Sequence, residues 1–296
     1  MKKISVIGAG TMGNGIAHCF AQYDFEVYLV DLSKDNLEIA KQKISNNLNR
    51  MVNKGAISEE KKDTTLSNIS FFTNLDDCVP KSDLVIEAAT EEKTIKLDIF
   101  KKLNQIAKPG TILATNTSSI SISLISSVTK EPQNVVGMHF MNPVPIMRLV
   151  EVIRGDQTSQ TTISTIMNLS KTIQKQPVLV NDAPGFVANR ILLPMINEAI
   201  LTLEEGVSGV KEIDTVMILG MSHPMGPLQL ADFIGLDVCL SILEILYEGF
   251  KKPKYKPANL LQELVKKRQL GVKTKLGFYD YSNGMKNKKA LLFDMI

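Results

Sequence analysis

The chain has 296 residues, of which 44% are hydrophobic, and its 34 basic and 31 acidic side chains give a formal net charge of +3. Such a chain can bury an ample core in two domains, and its evenly spread charges exclude the basic patch of a nucleic-acid-binding protein. Its apolar runs fall far short of the roughly 20 residues that cross a membrane, and no signal peptide follows Met1, so we expect a cytoplasmic protein without membrane contacts.

The first predicted element is a strand that runs into a glycine-rich loop. Ile4 to Ile7 form a short apolar run, and Gly8-Ala9-Gly10-Thr11-Met12-Gly13 follows directly and opens a helical pattern. Glu26 to Val30 then predict a second strand, which places Asp31 about 20 residues beyond the loop. This order of strand, GxGxxG loop, helix, strand and acid predicts a dinucleotide-binding fold.

Each residue type in this motif has a physical role in binding a dinucleotide. Gly8 permits a tight turn, Gly10 lets backbone N–H groups approach a pyrophosphate, and Gly13 allows the helix to pack closely on the strand. Asp31 can accept a hydrogen bond from a ribose 2′-hydroxyl and would repel a 2′-phosphate, so NAD is the expected cofactor. A merely tight glycine turn would leave this acid unexplained.

The segment after the second strand predicts a helical hairpin that projects from the sheet. Asn36 to Asn53 carry apolar residues at helical spacing, and a second helix begins near Ser58. Arg50 and Lys54 lie four residues apart and therefore share one face of the first helix. Such a pair is either an ordinary solvated surface or a site for an anionic ligand, and the pattern alone leaves both open.

Two further predicted strands end in groups that can hydrogen-bond a ligand. Leu84 to Ala88 is an apolar run typical of a parallel sheet covered on both faces, and Glu91 and Lys96 follow it. The next strand, Thr111 to Ala114, ends in Asn116-Thr117-Ser118-Ser119. Open α/β sheets bind their ligands at the carboxyl ends of the strands, so we expect this rim to form part of the site.

A histidine and a glutamate flank a turn between two apolar runs. Val135 to Met138 precedes His139, two prolines interrupt the pattern, and the second run, Arg148 to Ile153, contains Glu151. If the runs are adjacent strands, the imidazole and the carboxylate lie together and can act as a general base. The alternative is a hydrogen-bonded core histidine, which this segment alone does not exclude.

The clearest domain boundary is Asn181-Asp182-Ala183-Pro184-Gly185, where two structure breakers follow the last strand signal. We predict an α/β domain of residues 1–183, with a Rossmann-like, mostly parallel sheet and the helical hairpin as an insertion, and an all-helical domain of residues 184–296. So apolar a helical domain is expected to bury one face in a partner subunit. Its predicted helices are Phe186–Leu203, Val210–Leu219, Leu228–Phe250 and Ala258–Lys267.

The three cysteines predict neither disulfides nor a metal site. Cys19, Cys78 and Cys239 are odd in number, lack CxxC spacing and lie within apolar patterns. We interpret them as reduced packing side chains and predict no metal centre.

Together the motifs resemble the L-3-hydroxyacyl-CoA dehydrogenase family, and within it the bacterial 3-hydroxybutyryl-CoA dehydrogenases. The resemblance covers nearly the whole chain. The segments that carry it are Gly8-x-Gly10-x-x-Gly13, Asn116-Thr117-Ser118-Ser119, His139-Phe140-Met141-Asn142-Pro143-Val144-Pro145, Leu149-Val150-Glu151, Ala183-Pro184-Gly185-Phe186-Val187-x-Asn189-Arg190, His223-Pro224-Met225-Gly226-Pro227 and Gly277-Phe278-Tyr279.

The resemblance implies catalytic roles for four residues. His139 is the base that removes the 3-hydroxyl proton, Glu151 holds and polarises it, and Ser118 and Asn189 hydrogen-bond the reacting oxygen and the histidine. Because Asn189 lies beyond the predicted boundary, its role implies closure of the helical domain over the sheet edge. The chemistry favours the same pair, since loss of hydride from a carbinol carbon needs simultaneous loss of its hydroxyl proton.

The resemblance also implies ligand contacts. Arg50 and Lys54 match positions that face coenzyme A, whose phosphates two neighbouring cations would attract, and Ser118 also contacts substrate. Lys275 stands where the family usually has glycine, and Met141 replaces a common phenylalanine. The residues implied at the NAD site are Gly8, Gly10, Thr11, Met12, Gly13, Asp31, Glu91, Lys96, Asn116, Ser118, Asn142 and Lys273.

We therefore expect an NAD-dependent enzyme that interconverts short-chain (S)-3-hydroxyacyl-CoA and 3-ketoacyl-CoA. The expected pair is 3-hydroxybutyryl-CoA and acetoacetyl-CoA, and the expected assembly is a homodimer formed through the helical domain. One alternative is a sugar-acid dehydrogenase on the same scaffold, which would not need the face of Arg50 and Lys54. The other is a non-catalytic NADH-binding protein, against which the presence of all four implied catalytic residues counts.

Overall fold

An eight-stranded sheet organises the first of two compact units, which span Met1–Ala183 and residues 184 onward in the computed structural model. The structure describes residues 1–293. The strands are β1 (Lys3–Ile7), β2 (Glu26–Val30), β3 (Ile69–Phe72), β4 (Leu84–Glu87), β5 (Ile112–Thr115), β6 (Val135–Phe140), β7 (Leu149–Arg154) and β8 (Gln176–Asn181).

The strand order is β3-β2-β1-β4-β5-β6-β7-β8. Neighbouring strands are parallel except β6 and β7, which are antiparallel. Parallel strands covered on both faces need apolar residues at successive positions, and β4 and β5 are buried along their whole length. The predicted Rossmann-like, mostly parallel sheet is therefore confirmed.

The helices of this unit cover the sheet and form the predicted hairpin. Serine side chains cap both hairpin helices, because Ser33 accepts from the backbone N–H of Asn36 and Ser58 accepts from that of Lys61. The hairpin consists of the second and third helices of the chain. The helices are α1 (Thr11–Gln22), α2 (Lys34–Asn53), α3 (Glu59–Ser67), α4 (Lys93–Ile106), α5 (Ile122–Ser126) and α6 (Gln160–Thr172).

His18 on α1 gives the first unit a sensitivity to acid. Its side chain is completely buried, and burial, with a smaller contribution from the charge of Lys175, lowers the pKa of His18 to about 4. The unfolded chain takes up this proton near pH 6.5, so the native state is favoured fully above that pH and loses stability as the pH falls toward 4.

We expect this single group to remove about 3 kcal/mol of unfolding free energy between pH 6.5 and pH 4. Urea unfolding at several pH values gives the unfolding free energy of the wild type and of His18→Leu. The effect of His18 is the difference between the slopes of these two free energies against pH. The variant should lose less stability than the wild type over this interval. Parallel curves for the two proteins would show that His18 titrates normally.

The second unit is helical, with a short strand pair near the end of the chain. Its helices are α7 (Ala188–Glu204), α8 (Val210–Gly220), α9 (Pro227–Ile234), α10 (Leu236–Phe250) and α11 (Asn259–Lys266). The antiparallel pair is β9 (Tyr279–Asp280) and β10 (Lys289–Ala290), so the helical domain is confirmed but is not all-helical. Buried Asp232 holds the start of β9 by accepting from the backbone N–H groups of Phe278 and Tyr279.

The predicted continuous helix from Leu228 to Phe250 is wrong. The chain breaks there into α9 and α10 at Gly235, whose φ of +105° lies outside the helical region. Both flanking segments carry helical apolar spacing, so the pattern runs through the break and only the glycine marks it.

Candidate active site

The glycine loop between β1 and α1 has the shape that a dinucleotide phosphate group requires. A Cβ on Gly8, whose φ is +95°, would lie 2.7 Å from the carbonyl oxygen of Ala88, and a Cβ on Gly13 would lie 1.7 Å from that of Gly8. Gly10 is the N-cap of α1 and faces open space, since a Cβ there would meet nothing within 4 Å. The first N–H groups of α1 can therefore receive an anion, which fits a pyrophosphate.

Asp31 stands beside this loop at the end of β2. Its Oδ2 accepts from the backbone N–H of Ala9 at 2.8 Å, and its Oδ1 accepts from the backbone N–H of Ser33 at 3.0 Å and from Nδ2 of Asn36 at 3.1 Å. These bonds fix the carboxylate next to the glycine loop, where it can accept from a ribose hydroxyl. The loop and the acid together fit NAD.

Glu91 accepts hydrogen bonds from the polar segment that follows β5. Its Oε1 accepts from the hydroxyl of Thr117 at 2.6 Å, from the backbone N–H and hydroxyl of Ser118 at 2.8 and 3.1 Å, and from the backbone N–H and hydroxyl of Ser119 at 3.1 and 2.9 Å. Burial alone would raise the pKa of Glu91, but the charge of Lys96 and these donors outweigh that effect and lower the pKa. The side chain predicted to line the NAD site thus also orients Ser118.

A second acid, Glu87, lies beneath this network and was not singled out in the sequence. Its oxygens accept from Nζ of Lys96 at 2.7 and 2.9 Å and from the hydroxyl of Thr115 at 2.7 Å, and both Glu87 and Lys96 are almost completely buried. Nζ of Lys96 also lies 3.3 Å from Glu91. The predicted NAD-site lysine is therefore an interior cation that joins two acids.

Asn116 ties the rim at β5 to the end of β6. Its Oδ1 accepts from the backbone N–H of Phe140 at 2.9 Å. Phe140 directly follows His139, so this bond connects the polar segment after β5 to the strand that carries the histidine.

His139 and Glu151 face each other across the antiparallel strands β6 and β7. The ladder pairs these two residues directly, and Nδ1 of His139 lies 2.7 Å from Oε2 of Glu151. The exposed fraction is 8% for His139 and 1% for Glu151. The sequence prediction that strand pairing brings the imidazole and the carboxylate together is confirmed.

The basic face of α2 borders a cavity of about 310 Å³. Arg50 lines it, together with Lys43 two helical turns earlier, whereas Lys54 caps the C-terminus of α2. Lys43 was missed because its seven-residue spacing from Arg50 is weaker as a signal than the four-residue spacing of Arg50 and Lys54. The remaining lining residues are Thr11, Asn14, Gly15, Asn46, Asn47, Asn142, Pro143, Val144 and Pro145.

The second unit carries two further predicted site residues. Asn189 lies in the first turn of α7, and Lys273 forms an ion pair with Asp237 of the same unit. Lys275, which replaces the usual glycine, has a φ of +62°, a left-handed conformation that glycine adopts without strain.

Two further properties bear on the class of site. No helix among residues 1–293 combines the length and apolarity needed to cross a membrane, and the same residues contain no cluster of histidine, cysteine and acidic side chains that could hold a metal ion. All three cysteines are unpaired and buried, as predicted, and burial raises the pKa of Cys19 to about 11 and that of Cys239 to about 12.

Comparison with known proteins finds similar dehydrogenases over 95% of the chain. A 3-hydroxybutyryl-CoA dehydrogenase from Clostridioides difficile is 50% identical over 95% of this chain and 99% of its own length. The mitochondrial hydroxyacyl-coenzyme A dehydrogenase of Sus scrofa is 39% identical over 95% of this chain and 91% of its own. The crystal structure of the (S)-3-hydroxybutyryl-CoA dehydrogenase PaaH1 from Ralstonia eutropha matches with a TM-score of 0.93 and 46% identity, over 95% of this chain and 99% of that one.

The two units match the two domains of one protein family. Residues 3–183 match the 3-hydroxyacyl-CoA dehydrogenase NAD binding domain, and residues 185–281 match the C-terminal domain of the same family. The predicted family and the predicted cofactor, NAD, are thereby confirmed. The chain belongs to the 3-hydroxyacyl-CoA dehydrogenase family of NAD-dependent oxidoreductases.

Proposed function

We propose that this protein interconverts (S)-3-hydroxybutyryl-CoA and acetoacetyl-CoA with NAD, and that His139 is the general base. The single observation that carries the proposal is the buried contact of 2.7 Å between Nδ1 of His139 and Oε2 of Glu151, at the rim where the sheet presents its glycine loop and polar segments. The identity of 50% to the C. difficile 3-hydroxybutyryl-CoA dehydrogenase supports the choice of substrate.

In the oxidative direction Nε2 of His139 removes the proton from the 3-hydroxyl group as hydride leaves C3. NAD, when bound, supplies the hydride acceptor. The carboxylate of Glu151 fixes the tautomer that leaves Nε2 able to accept, and it stabilises the imidazolium that forms. In the reductive direction the same imidazolium donates the proton to the ketone oxygen.

Ser118 and Asn189 complete the proposed catalytic set as hydrogen-bond partners of the substrate oxygen and the histidine. For Ser118 the support is its position on the segment that Glu91 holds with bonds to the serine N–H and hydroxyl. For Asn189 the support is the match of its domain to the family. Hydrogen-bond donors that are fixed before the reaction stabilise developing charge at the oxygen without reorganisation.

The proposal is tested by NADH oxidation with acetoacetyl-CoA, compared with free acetoacetate and with a keto sugar acid. We expect the coenzyme A ester to be much the best substrate, because the free acid would forgo all contacts with the face that carries Arg50. A preference for the sugar acid would favour the alternative dehydrogenase. No turnover with any of the three, together with tight NADH binding, would favour a non-catalytic NADH-binding protein.

We propose that Arg50 and Lys54 bind phosphates of coenzyme A, and we expect Arg50→Ala with Lys54→Ala to raise KM for acetoacetyl-CoA several-fold. Contacts remote from the reacting carbon give uniform binding, so kcat should stay nearly intact. The effect should shrink with added salt because the face is open to solvent. The matched control is Lys41→Ala, which removes a cation from the opposite face of α2. An unchanged KM in the double variant at low salt would show that Arg50 and Lys54 are ordinary solvated surface residues.

We propose that the helical unit forms a homodimer and that the enzyme is cytoplasmic. The support is an apolar surface on α8 and the segment before it, where Val207, Val216 and Leu219 are 70%, 59% and 78% exposed beside an apolar cavity of about 430 Å³. We expect sedimentation to show a dimer that Val216→Glu converts to a monomer, while Lys252→Glu, a charge change on another exposed site, leaves it intact. A monomeric wild type would contradict this assembly.

A further inference from the structure

Lys175 is a buried cation that the catalytic proposal does not use. It immediately precedes β8, is only 7% exposed, and forms no ion pair with any carboxylate among residues 1–293. Burial lowers the pKa of Lys175. A buried ammonium group without an acid is costly, so its hydrogen bonds must be made well for it to be tolerated.

The partners of Lys175 are two carbonyl groups of one loop. Its Nζ donates to the carbonyl oxygen of Val144 at 2.5 Å and to that of Met147 at 2.8 Å. Both belong to the 141–148 loop, which connects β6, the strand of His139, to β7, the strand of Glu151. The lysine therefore binds the connection between the two proposed catalytic strands.

The 141–148 loop also forms one wall of the cavity beside Arg50. Asn142, Pro143, Val144 and Pro145 line that cavity. Val144 is almost completely buried and packs so closely on α1 that a Cβ on Gly15 would lie 2.9 Å from its Cβ. A small displacement of the loop would therefore change the width of the cavity.

Among residues 1–293, a backbone hydrogen bond holds the loop to a neighbouring strand only at its end, where the N–H of Gln176 donates to the carbonyl oxygen of Arg148 at 2.7 Å. The β6–β7 ladder ends at the pair of Phe140 and Val150, and within the loop the N–H groups of Ile146 and Met147 both turn back to the carbonyl oxygen of Pro143. These local bonds shape a turn but do not fix where it sits. Lys175, which immediately precedes β8, supplies the two side-chain bonds that hold Val144 and Met147 within the loop.

We propose that Lys175 is a positioning residue that sets the wall of the acyl-CoA cavity through the 141–148 loop. This inference rests on the proposed function for the identity of the ligand. Loss of the two donors would leave two carbonyl groups without their partner and release the loop, so binding of coenzyme A should weaken. His139 and Glu151 lie within the β ladder, and their contact should survive.

The test compares Lys175→Met, which keeps the apolar stem and removes the donors, with Lys175→Arg, which restores donors, and with Lys171→Met, which changes an exposed lysine in the last turn of α6. We expect Lys175→Met to raise both the KM for acetoacetyl-CoA and the Kd of coenzyme A alone about tenfold, with kcat within about threefold of wild type. Amide hydrogen exchange should accelerate in residues 141–148. Lys171→Met should match the wild type, and Lys175→Arg should recover part of the loss.

Two outcomes would overturn the inference. A folded Lys175→Met protein with wild-type KM and wild-type exchange in the loop would show that other contacts position it. A lower melting temperature with unchanged KM would assign Lys175 a purely structural role. If Lys175→Met does not fold, the same measurements on Lys175→Gln decide. If the wild type fails to reduce acetoacetyl-CoA, the proposed function fails, whereas loop exchange in the variants still tests the positioning role.

Discussion

Replacing His139 by glutamine should lower kcat for acetoacetyl-CoA reduction by a factor on the order of 10²–10⁴, because it removes the proposed proton donor and acceptor. Glu151→Gln should cost less, since the imidazole remains but loses the carboxylate that fixes its tautomer and stabilises its charge. The double variant should be no slower than His139→Gln alone. Glu151 acts through the histidine, so the two losses must be far from additive.

The measurement is kcat for the two single variants and the double variant, with circular dichroism to establish folding. NADH Kd should stay close to the wild-type value in all three, because neither side chain belongs to the glycine loop or to Asp31. Multiplicative losses in the double variant would mean that Glu151 has a role of its own.

Replacing Lys96 by methionine should remove several kcal/mol of folding stability, about 3–5 if Glu87 stays ionised without a partner. The exposed fraction is 0% for Glu87 and 1% for Lys96, and Nζ of Lys96 lies 2.7 Å from the carboxylate of Glu87. Removing the acid as well, in Glu87→Gln with Lys96→Met, should recover much of the loss, because no charge is then left buried beneath the rim. Urea unfolding of the single and double variants measures this coupling.

The matched control is Lys101→Met, which breaks the exposed ion pair of Lys101 with Asp98 on the same helix, α4. An exposed pair contributes little, so its loss should stay below about 1 kcal/mol. A Lys96→Met protein as stable as this control would show that the buried pair does not stabilise the sheet edge. A double variant no more stable than Lys96→Met would show that the unpaired carboxylate is not the cause.

Local sequence signals sufficed for the parts of the site that lie within one strand–loop–helix unit or across one short connection. The glycine loop and Asp31 follow from spacing alone, because backbone sterics at Gly8 and Gly13 admit no side chain. The contact of His139 with Glu151 could be predicted because two strands that are joined by a short connection usually pair with each other. Few alternative registers are then possible.

Tertiary contacts account for what the sequence did not reveal. Glu87 is the exception within a strand–loop–helix unit, because it ends an apolar strand pattern that gives no sign of its contact with Lys96. No sequence pattern marked Lys175, and its side chain bonds the 141–148 loop, which is distant in sequence. The break between α9 and α10 was missed because apolar spacing continues through Gly235.

The role of His139 is tested most directly by the rate of the chemical step itself. Stopped-flow measurement follows NADH oxidation in a single turnover, with enzyme and acetoacetyl-CoA both in excess over NADH. It separates hydride transfer from product release. For folded His139→Gln we predict a rate lower than the wild type by a factor on the order of 10²–10⁴, with NADH Kd unchanged. A folded variant that keeps more than about a tenth of the wild-type rate would contradict the assignment of His139 as the general base.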